Sequence, residues 1–163
     1  MHIFGPINMG LCRAFNLMLG MSVYELGVLE HFYLILIPLI YIAAITLVSR
    51  GEVHGSQSAP LWFAAFLFVI VHASQLAVGL QADKLIYMLP FVLVHAYLIF
   101  AKLIPAIQKP IGPNIGQTVK TGVLTLILMN AAWVAVSEQY YMAFATFALL
   151  QISMWVGKKF AVS

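Results

Sequence analysis

Long runs of uncharged, mostly apolar residues alternate with short polar breaks along this chain. A helix that spans a bilayer needs about 20 mainly apolar residues, with a range of roughly 17 to 25. Five uncharged runs reach this range, at residues 32–48, 61–82, 85–101, 121–137 and 139–157. A sixth run, from about residue 6 to residue 24, contains Arg13. The pattern predicts an all-α, polytopic membrane helix bundle with about six transmembrane helices.

The composition agrees with a membrane protein and excludes an ordinary soluble domain. Of the 163 residues, 63% are hydrophobic and 8% are charged, whereas soluble domains carry about a quarter charged residues. The length fits a single integral membrane domain over residues 1–163. The net charge of +3 does not indicate nucleic acid, because the basic residues form no cluster interleaved with aromatic residues.

The placement of charge predicts the orientation of the bundle. Lys and Arg concentrate in cytoplasmic loops, and with six spans one side collects all the basic residues except Lys84. These are Arg13 near one helix mouth, Arg50, Lys102, Lys109, Lys120, Lys158 and Lys159. The opposite side collects Glu25, Glu30, Asp83 and Glu138. We therefore expect both termini in the cytoplasm and Glu52 as the one acid on that side.

A dense polar cluster follows the second predicted span. Ser49, Arg50, Glu52 and His54 lie within six residues, punctuated by Gly51 and Gly55. The alternative to a site here is a polar helix end and turn. The later segment 102–120 holds three prolines and three lysines, and proline deters a continuous helix. We expect a bent basic connection that either attracts anionic lipids or helps to bind a diphosphate.

Polar residues also occur inside the predicted spans. Arg13, Asn16 and Gly20 are spaced i, i+3 and i+7, so a helix places them on one stripe. Polar groups in a bilayer usually face a bundle interior or cavity, which predicts a cavity wall. The alternative is that Arg13 extends to the headgroups while Asn16 bonds a neighbouring helix.

The other polar positions in the spans favour a packing role. His72, Gln75 and Gly79 repeat the same spacing, and His95 and Asn130 stand alone in apolar runs. We expect them to make interhelical hydrogen bonds, with the glycine allowing close packing. The single cysteine, Cys12, builds no disulfide or paired-cysteine zinc site and is expected to be buried.

Several stretches resemble a known family. They are GPINMGLCRAFNLMLGMS, YIAAITLVSRGEVHG, GQTVKTGVLTLILMNAAW and WVGKKFAVS. Together they are similar to the C-terminal half of UbiA-like prenyltransferases, in particular the divergent bacterial branch described as EboC-like. The resemblance implies half of an all-helical bundle of about nine spans. In typical members, an Asp-rich motif from each half holds Mg²⁺ on a prenyl diphosphate, whose ionisation gives an allylic cation that a membrane-accessible, commonly aromatic acceptor captures.

This chain departs from that family at the acidic motifs. The first Asp-rich motif is absent, and SRGEVHG stands at the second, so only Glu52 matches an acidic position. The resemblance implies Glu52 as the catalytic, metal-facing acid and a location in the bacterial inner membrane. It also implies that Arg13 and Asn16 are counterparts of a substrate-binding Arg and Asn on the first helix of the complete enzyme, with Asn16 facing the cavity near the prenyl diphosphate. Arg50, His54 and Ser49 are expected to contact the diphosphate, since Arg suits that fork-like contact.

Two functions are compatible with these features. The first is one half of a UbiA-like polyprenyltransferase, inactive without its missing N-terminal half. The second is a non-catalytic membrane scaffold, a carrier of a lipophilic molecule or a subunit of a larger assembly, which the loss of acids favours. A transporter lacks support, because no carboxylate lies inside any predicted span.

Overall fold

The computed structural model describes residues 4–22 and 32–160, and these residues form helices without any strand. The prediction of an all-α fold is confirmed. A short 3-10 helix, Phe32–Ile35, leads into the second α-helix. The α-helices in this part of the chain are α1 Phe4–Met21, α2 Leu36–Ser49, α3 Ser58–Gln81, α4 Leu85–Gln108, α5 Gly112–Val136 and α6 Tyr140–Phe160.

Four of the helical segments in the described ranges are long and apolar enough to cross a membrane. They are Phe32–Ser49, Ser58–Gln81, Leu85–Gln108 and Gly112–Val136. The last helix contributes a shorter apolar stretch, Tyr140–Val156. The first helix carries Arg13 near its middle. The architecture is therefore a membrane helix bundle with four long apolar members and one further helix on each side.

The four long helices close into a ring. Helix α2 packs against α3 and α5, α3 packs against α4, and α4 packs against α5. Short connections at 82–84, 109–111 and 137–139 make consecutive helices antiparallel neighbours. Helix α1 packs on the outside of α2, and α6 packs on the outside of α5. The largest buried side chains of the ring include Tyr41, Phe68, Leu61, Ile99 and Leu103.

The two ends of the bundle carry different charge. The basic end, defined by residues 50–57 and 109–111, has exposed side chains at Arg50 and Lys109, with Lys102 and Lys120 exposed on the adjacent turns. The ion-pair end, defined by residues 82–84 and 137–139, has Lys84 paired with Glu138. The hydrogen bond and charge of Lys84 hold the pKa of the Glu138 carboxyl below its usual value. Glu25 and Glu30, expected at this end, lie outside the described residues.

The segment 102–120 is bent, as predicted, because residues 109–111 separate two helices, but most of the segment is helical. Helix α4 continues through Pro105 to Gln108, and only residues 109–111 interrupt the helical path before α5. Pro113 lies in the first turn of α5, where a missing N–H removes no helical bond. The ends of α4 and α5 therefore form a helical hairpin that extends past the uncharged runs at the basic end.

Candidate functional site

A cavity of about 640 Å³ lies between α1, α2 and α5. We call it the Arg13 cleft. Its walls come from the stripe on α1, the start of α2 and the last turns of α5. The lining residues are Arg13, Asn16, Leu17, Pro38, Met129, Asn130, Trp133, Val134 and Ser137.

The polar groups of the Arg13 cleft are rich in hydrogen-bond donors. The half-buried Arg13 donates from Nη2 to Oδ1 of Asn130 at 3.1 Å, and a guanidinium has five N–H donors and no acceptor. The buried indole Nε1 of Trp133 has no hydrogen-bond partner among the described residues. None of the lining residues is a carboxylate. Among the residues that the structure describes, the cleft therefore holds a positive charge without a negative one.

Two matching helix stripes build this cleft. Arg13 and Asn16 are one turn apart on α1, while Asn130, Trp133 and Ser137 follow one another on α5 at spacings of three and four. Gly10 lets α1 approach α2 closely, because a Cβ at this position would lie 3.1 Å from the carbonyl oxygen of Leu39. The side chain of Asn16 is more exposed than that of Arg13 and lies at the rim.

A second cavity of about 430 Å³ adjoins the Arg13 cleft. The two cavities share Leu17, Trp133 and Ser137 as walls. The second one continues to Gln81 and Ala82 at the ion-pair end. Together they provide an elongated, mostly apolar space beside the charged group.

The cluster predicted from the sequence around Glu52 lies at the basic end and folds onto the start of α5. The amide of Gly55 donates to Gly51 O at 2.9 Å, and the amide of Ser56 donates to Pro110 O at 3.1 Å. Gly55 has φ +80, in the left-handed region that glycine adopts without strain. The loop is thus fixed to the connection between α4 and α5.

Glu52 packs against two glycines of α5. A Cβ at Gly112 would lie 2.6 Å from the backbone oxygen of Glu52, and one at Gly116 would lie 3.2 Å from its Oε1. The carboxylate therefore lies beside the first turns of α5. The positive end of a helix dipole stabilises negative charge in that position, which gives Glu52 a structural role.

The structure does not bring all the predicted site residues together. Arg50, Glu52 and His54 have exposed side chains at the basic end, and Ser49 donates its hydroxyl to Thr46 O at 2.9 Å within its own helix. From Gly116, beside Glu52, to Asn130, beside Arg13, is 14 residues of α5, or about 21 Å at 1.5 Å per residue. Glu52 and Asn16 therefore do not border a single pocket.

The position of Arg13 explains this separation. Helix α1 packs with Gly10 against Leu39, close to the start of α2. Helix α2 then runs away from that contact towards the basic end. The expectation that Arg13 lies at the same helix mouth as Arg50 is wrong, because the register of α1 places it in the half of the bundle near the ion-pair end.

The side chains in the described ranges offer few ligands for a magnesium ion. There, no group of three or more His, Cys, Asp or Glu residues is placed to hold a metal. Mg²⁺ prefers six oxygen ligands in octahedral geometry, and Glu52 offers one carboxylate. These residues do not fit Mg²⁺ by themselves, so the expected ion stays a prediction that requires carboxylates beyond the described residues. Cys12 is exposed on α1, contrary to expectation.

A buried polar cluster at the centre of the ring is a feature that sequence reasoning underestimated. Tyr41 donates its hydroxyl to Gly122 O at 2.8 Å, and its oxygen lies 3.0 Å from His95 Nε2. The interhelical bonds expected for His95 and Asn130 are confirmed. His72 instead bonds Phe68 O on its own helix. The signal for this cluster in the sequence is a tyrosine hydroxyl inside an apolar span.

Comparison with protein-family models, with curated proteins and with solved structures finds no match to this chain. The resemblance to UbiA-like prenyltransferases therefore rests on the sequence motifs alone. Membership of that family, prenyl-transfer activity, magnesium binding and an isoprenoid substrate stay predictions for this chain.

We predict that Gly112→Ala destabilises the protein by about 1–3 kcal/mol, because the new methyl group meets a backbone oxygen that cannot rotate away. Thermal or denaturant unfolding in detergent micelles measures the effect. Gly116→Ala is the matched control. Its methyl group meets only the mobile end of Glu52, and alanine inside a helix gains up to about 1 kcal/mol over glycine. Equal losses for the two variants would contradict the docking of Glu52 described above.

Proposed function

We propose that this chain binds an anionic lipid of the prenyl diphosphate class in the Arg13 cleft and does not transfer the prenyl group by itself. The observation that supports this is a half-buried guanidinium in a cavity without a lining carboxylate. An arginine inside a bilayer costs about 2.5–3.5 kcal/mol on insertion scales. An anionic ligand offsets that cost by bringing the missing negative charge.

The chemistry of a diphosphate suits this charge. Its oxygens only accept hydrogen bonds at neutral pH, and Arg binds such groups through parallel N–H donors. Asn16 at the rim supplies a further donor. A phosphate group would therefore find several donors in one place.

The walls of the cavity suit an isoprenoid tail. Leu17, Pro38, Met129 and Val134 are apolar, and the adjoining cavity extends the space towards the ion-pair end. Cavities of about 300–1,000 Å³ are typical of small-molecule sites. The combined arrangement of one charged position and a long apolar wall favours an amphiphile over a soluble anion.

The second candidate function is the UbiA-like polyprenyltransferase itself, which transfers an isoprenyl group to a lipophilic or aromatic acceptor. It is favoured by the fact that Arg13 and Asn16, which the resemblance relates to substrate-binding residues, both line this cleft. Transfer would then need acids from outside the described residues to hold Mg²⁺. We give no metal-dependent step to the residues of this chain.

The charge asymmetry supports a cytoplasmic basic end and an inner-membrane location. In a Cys12→Ala background, we predict that His54→Cys resists a membrane-impermeant maleimide in intact cells and reacts after permeabilisation. Gln139→Cys, at the ion-pair end, is the matched control and should react directly. The reverse labelling pattern would invert the orientation.

We predict that Arg13→Gln weakens binding of geranylgeranyl diphosphate to the purified chain in lipid nanodiscs by 10- to 100-fold. The loss corresponds to about 1.4–2.8 kcal/mol, which is within the range for hydrogen bonds to charged groups. Calorimetry or tryptophan fluorescence would measure the affinity. Arg50→Gln is the control and should change affinity less than threefold. A loss of affinity in Arg50→Gln and not in Arg13→Gln would indicate that the ligand binds at the Glu52 loop instead.

We predict that the purified chain, given a prenyl diphosphate, an aromatic acceptor and Mg²⁺, releases no diphosphate above background, because its cleft has no acid to hold the ion. A coupled diphosphate assay measures the release. Steady magnesium-dependent release that Glu52→Gln abolishes would reject the non-catalytic proposal and support the second candidate.

A further inference from the structure

Two buried imidazoles meet inside the four-helix ring, and a buried glutamine lies one turn further along α3 from the first of them. His72 and Gln75 come from α3, and His95 comes from α4. Gln75 and His95 are fully buried, and His72 is 7% exposed. The two imidazole rings have centroids 4.9 Å apart. This cluster is independent of the anion site proposed above.

The hydrogen bonds around the two imidazoles determine which nitrogen carries the proton in each ring. His72 Nδ1 lies 2.6 Å from Phe68 O, and a carbonyl oxygen only accepts, so Nδ1 is protonated. The Nε2 of His72 is then a bare acceptor.

The same reasoning applies to His95. Tyr41 gives its proton to Gly122 O at 2.8 Å, so the tyrosine oxygen accepts from His95 Nε2 at 3.0 Å. The Nδ1 of His95 is therefore the second bare acceptor. The two rings present complementary tautomers with one lone pair each.

The cluster has more acceptors than its own donors satisfy. His72 Nε2, His95 Nδ1 and both polar atoms of the Gln75 amide are buried and find no partner within the described residues. The two imidazole lone pairs therefore lack a donor in the described structure, and a buried polar group without a partner is unfavourable.

We propose that His72, Gln75 and His95 form an internal binding site for one water molecule. A water donates two hydrogen bonds, one to each imidazole lone pair, and accepts one from the Gln75 amide. Three polar partners are typical of a buried water. A cation would also suit the lone pairs, but helices α2 to α5 contain no Asp or Glu to balance its charge. A neutral ligand is therefore favoured.

The bound water would complete a hydrogen-bond chain across the ring. The chain runs from Phe68 O through His72, the water, His95 and Tyr41 to Gly122 O. Both ends are backbone carbonyls, which do not pass protons onward. The site consequently joins α2, α3, α4 and α5 and does not form a proton path across the membrane.

Magic-angle-spinning NMR on the protein in lipid bilayers, with ¹⁵N-labelled histidine, tests this site. We expect His72 as the Nδ1–H tautomer and His95 as the Nε2–H tautomer, with magnetisation passing from water to the bare nitrogen of each ring. His54, exposed at the basic end, is the positive control for water contact. Absence of transfer to both buried rings would overturn the proposal in favour of a dry cluster. Stoichiometric metal in the purified protein, lost with His95→Phe, would overturn it in favour of a cation.

A variant pair separates this site from a general loosening of the bundle. Tyr41→Phe removes the hydroxyl that fixes the His95 tautomer, so the His95 signals should shift while the His72 tautomer persists. Tyr97→Phe, at a lipid-facing position that is 73% exposed, should leave both rings unchanged. A shift of both histidines in both variants would contradict the assigned hydrogen-bond chain.

Discussion

The hydroxyl group of Tyr41 connects three of the four ring helices at a depth where lipid cannot replace a lost hydrogen bond. It bonds α5 through Gly122 O and α4 through His95. A Cβ at Gly122 would lie 3.0 Å from Ile45, so the backbones of α2 and α5 approach closely enough for the tyrosine to reach the carbonyl. Helices associate in a bilayer through such close packing and interhelical bonds, because there is no hydrophobic driving force between them.

Closure of the ring determines where the other polar groups can lie. With α2 to α5 packed around a shared interior, α1 is left outside and covers the first half of α2. Its stripe then faces the last turns of α5, and Arg13 reaches Asn130 across the resulting cleft. The loop after α2 emerges at the other end of the ring, where it meets the start of α5. One core thus produces two separate polar regions.

Much of the fold could be predicted from the sequence, because uncharged runs and the charges between them are local signals. The helices, the polar stripe on α1 and the grouping of basic residues at one end all follow from such signals. The position of α1 along the length of α2 cannot be predicted from such signals. Periodicity indicates which face of a helix packs against a neighbour, but not how far along that neighbour it packs. That position depends on the contact between Gly10 and Leu39, which no local pattern indicates.

The same limit applies to Tyr41 and to the prolines. A tyrosine in an apolar run is usually a packing residue, and its role here depends on which carbonyl of a distant helix faces it. Pro105 was expected to break a helix, yet α4 continues for one turn beyond it. Local patterns identify the residues that stand out in an apolar span, but the partners that determine their roles lie on other helices.

The separation of Arg13 from Glu52 limits the chemistry that this chain can perform. A diphosphate is far shorter than the roughly 21 Å of helix between the two positions, so one substrate cannot contact both. Glu52 already has a structural role against the first turns of α5, whereas the guanidinium in the cleft faces an apolar-walled cavity without a carboxylate. In the proposed function the anion therefore binds beside Arg13, and any metal that activates it would be held by acids from outside this cleft.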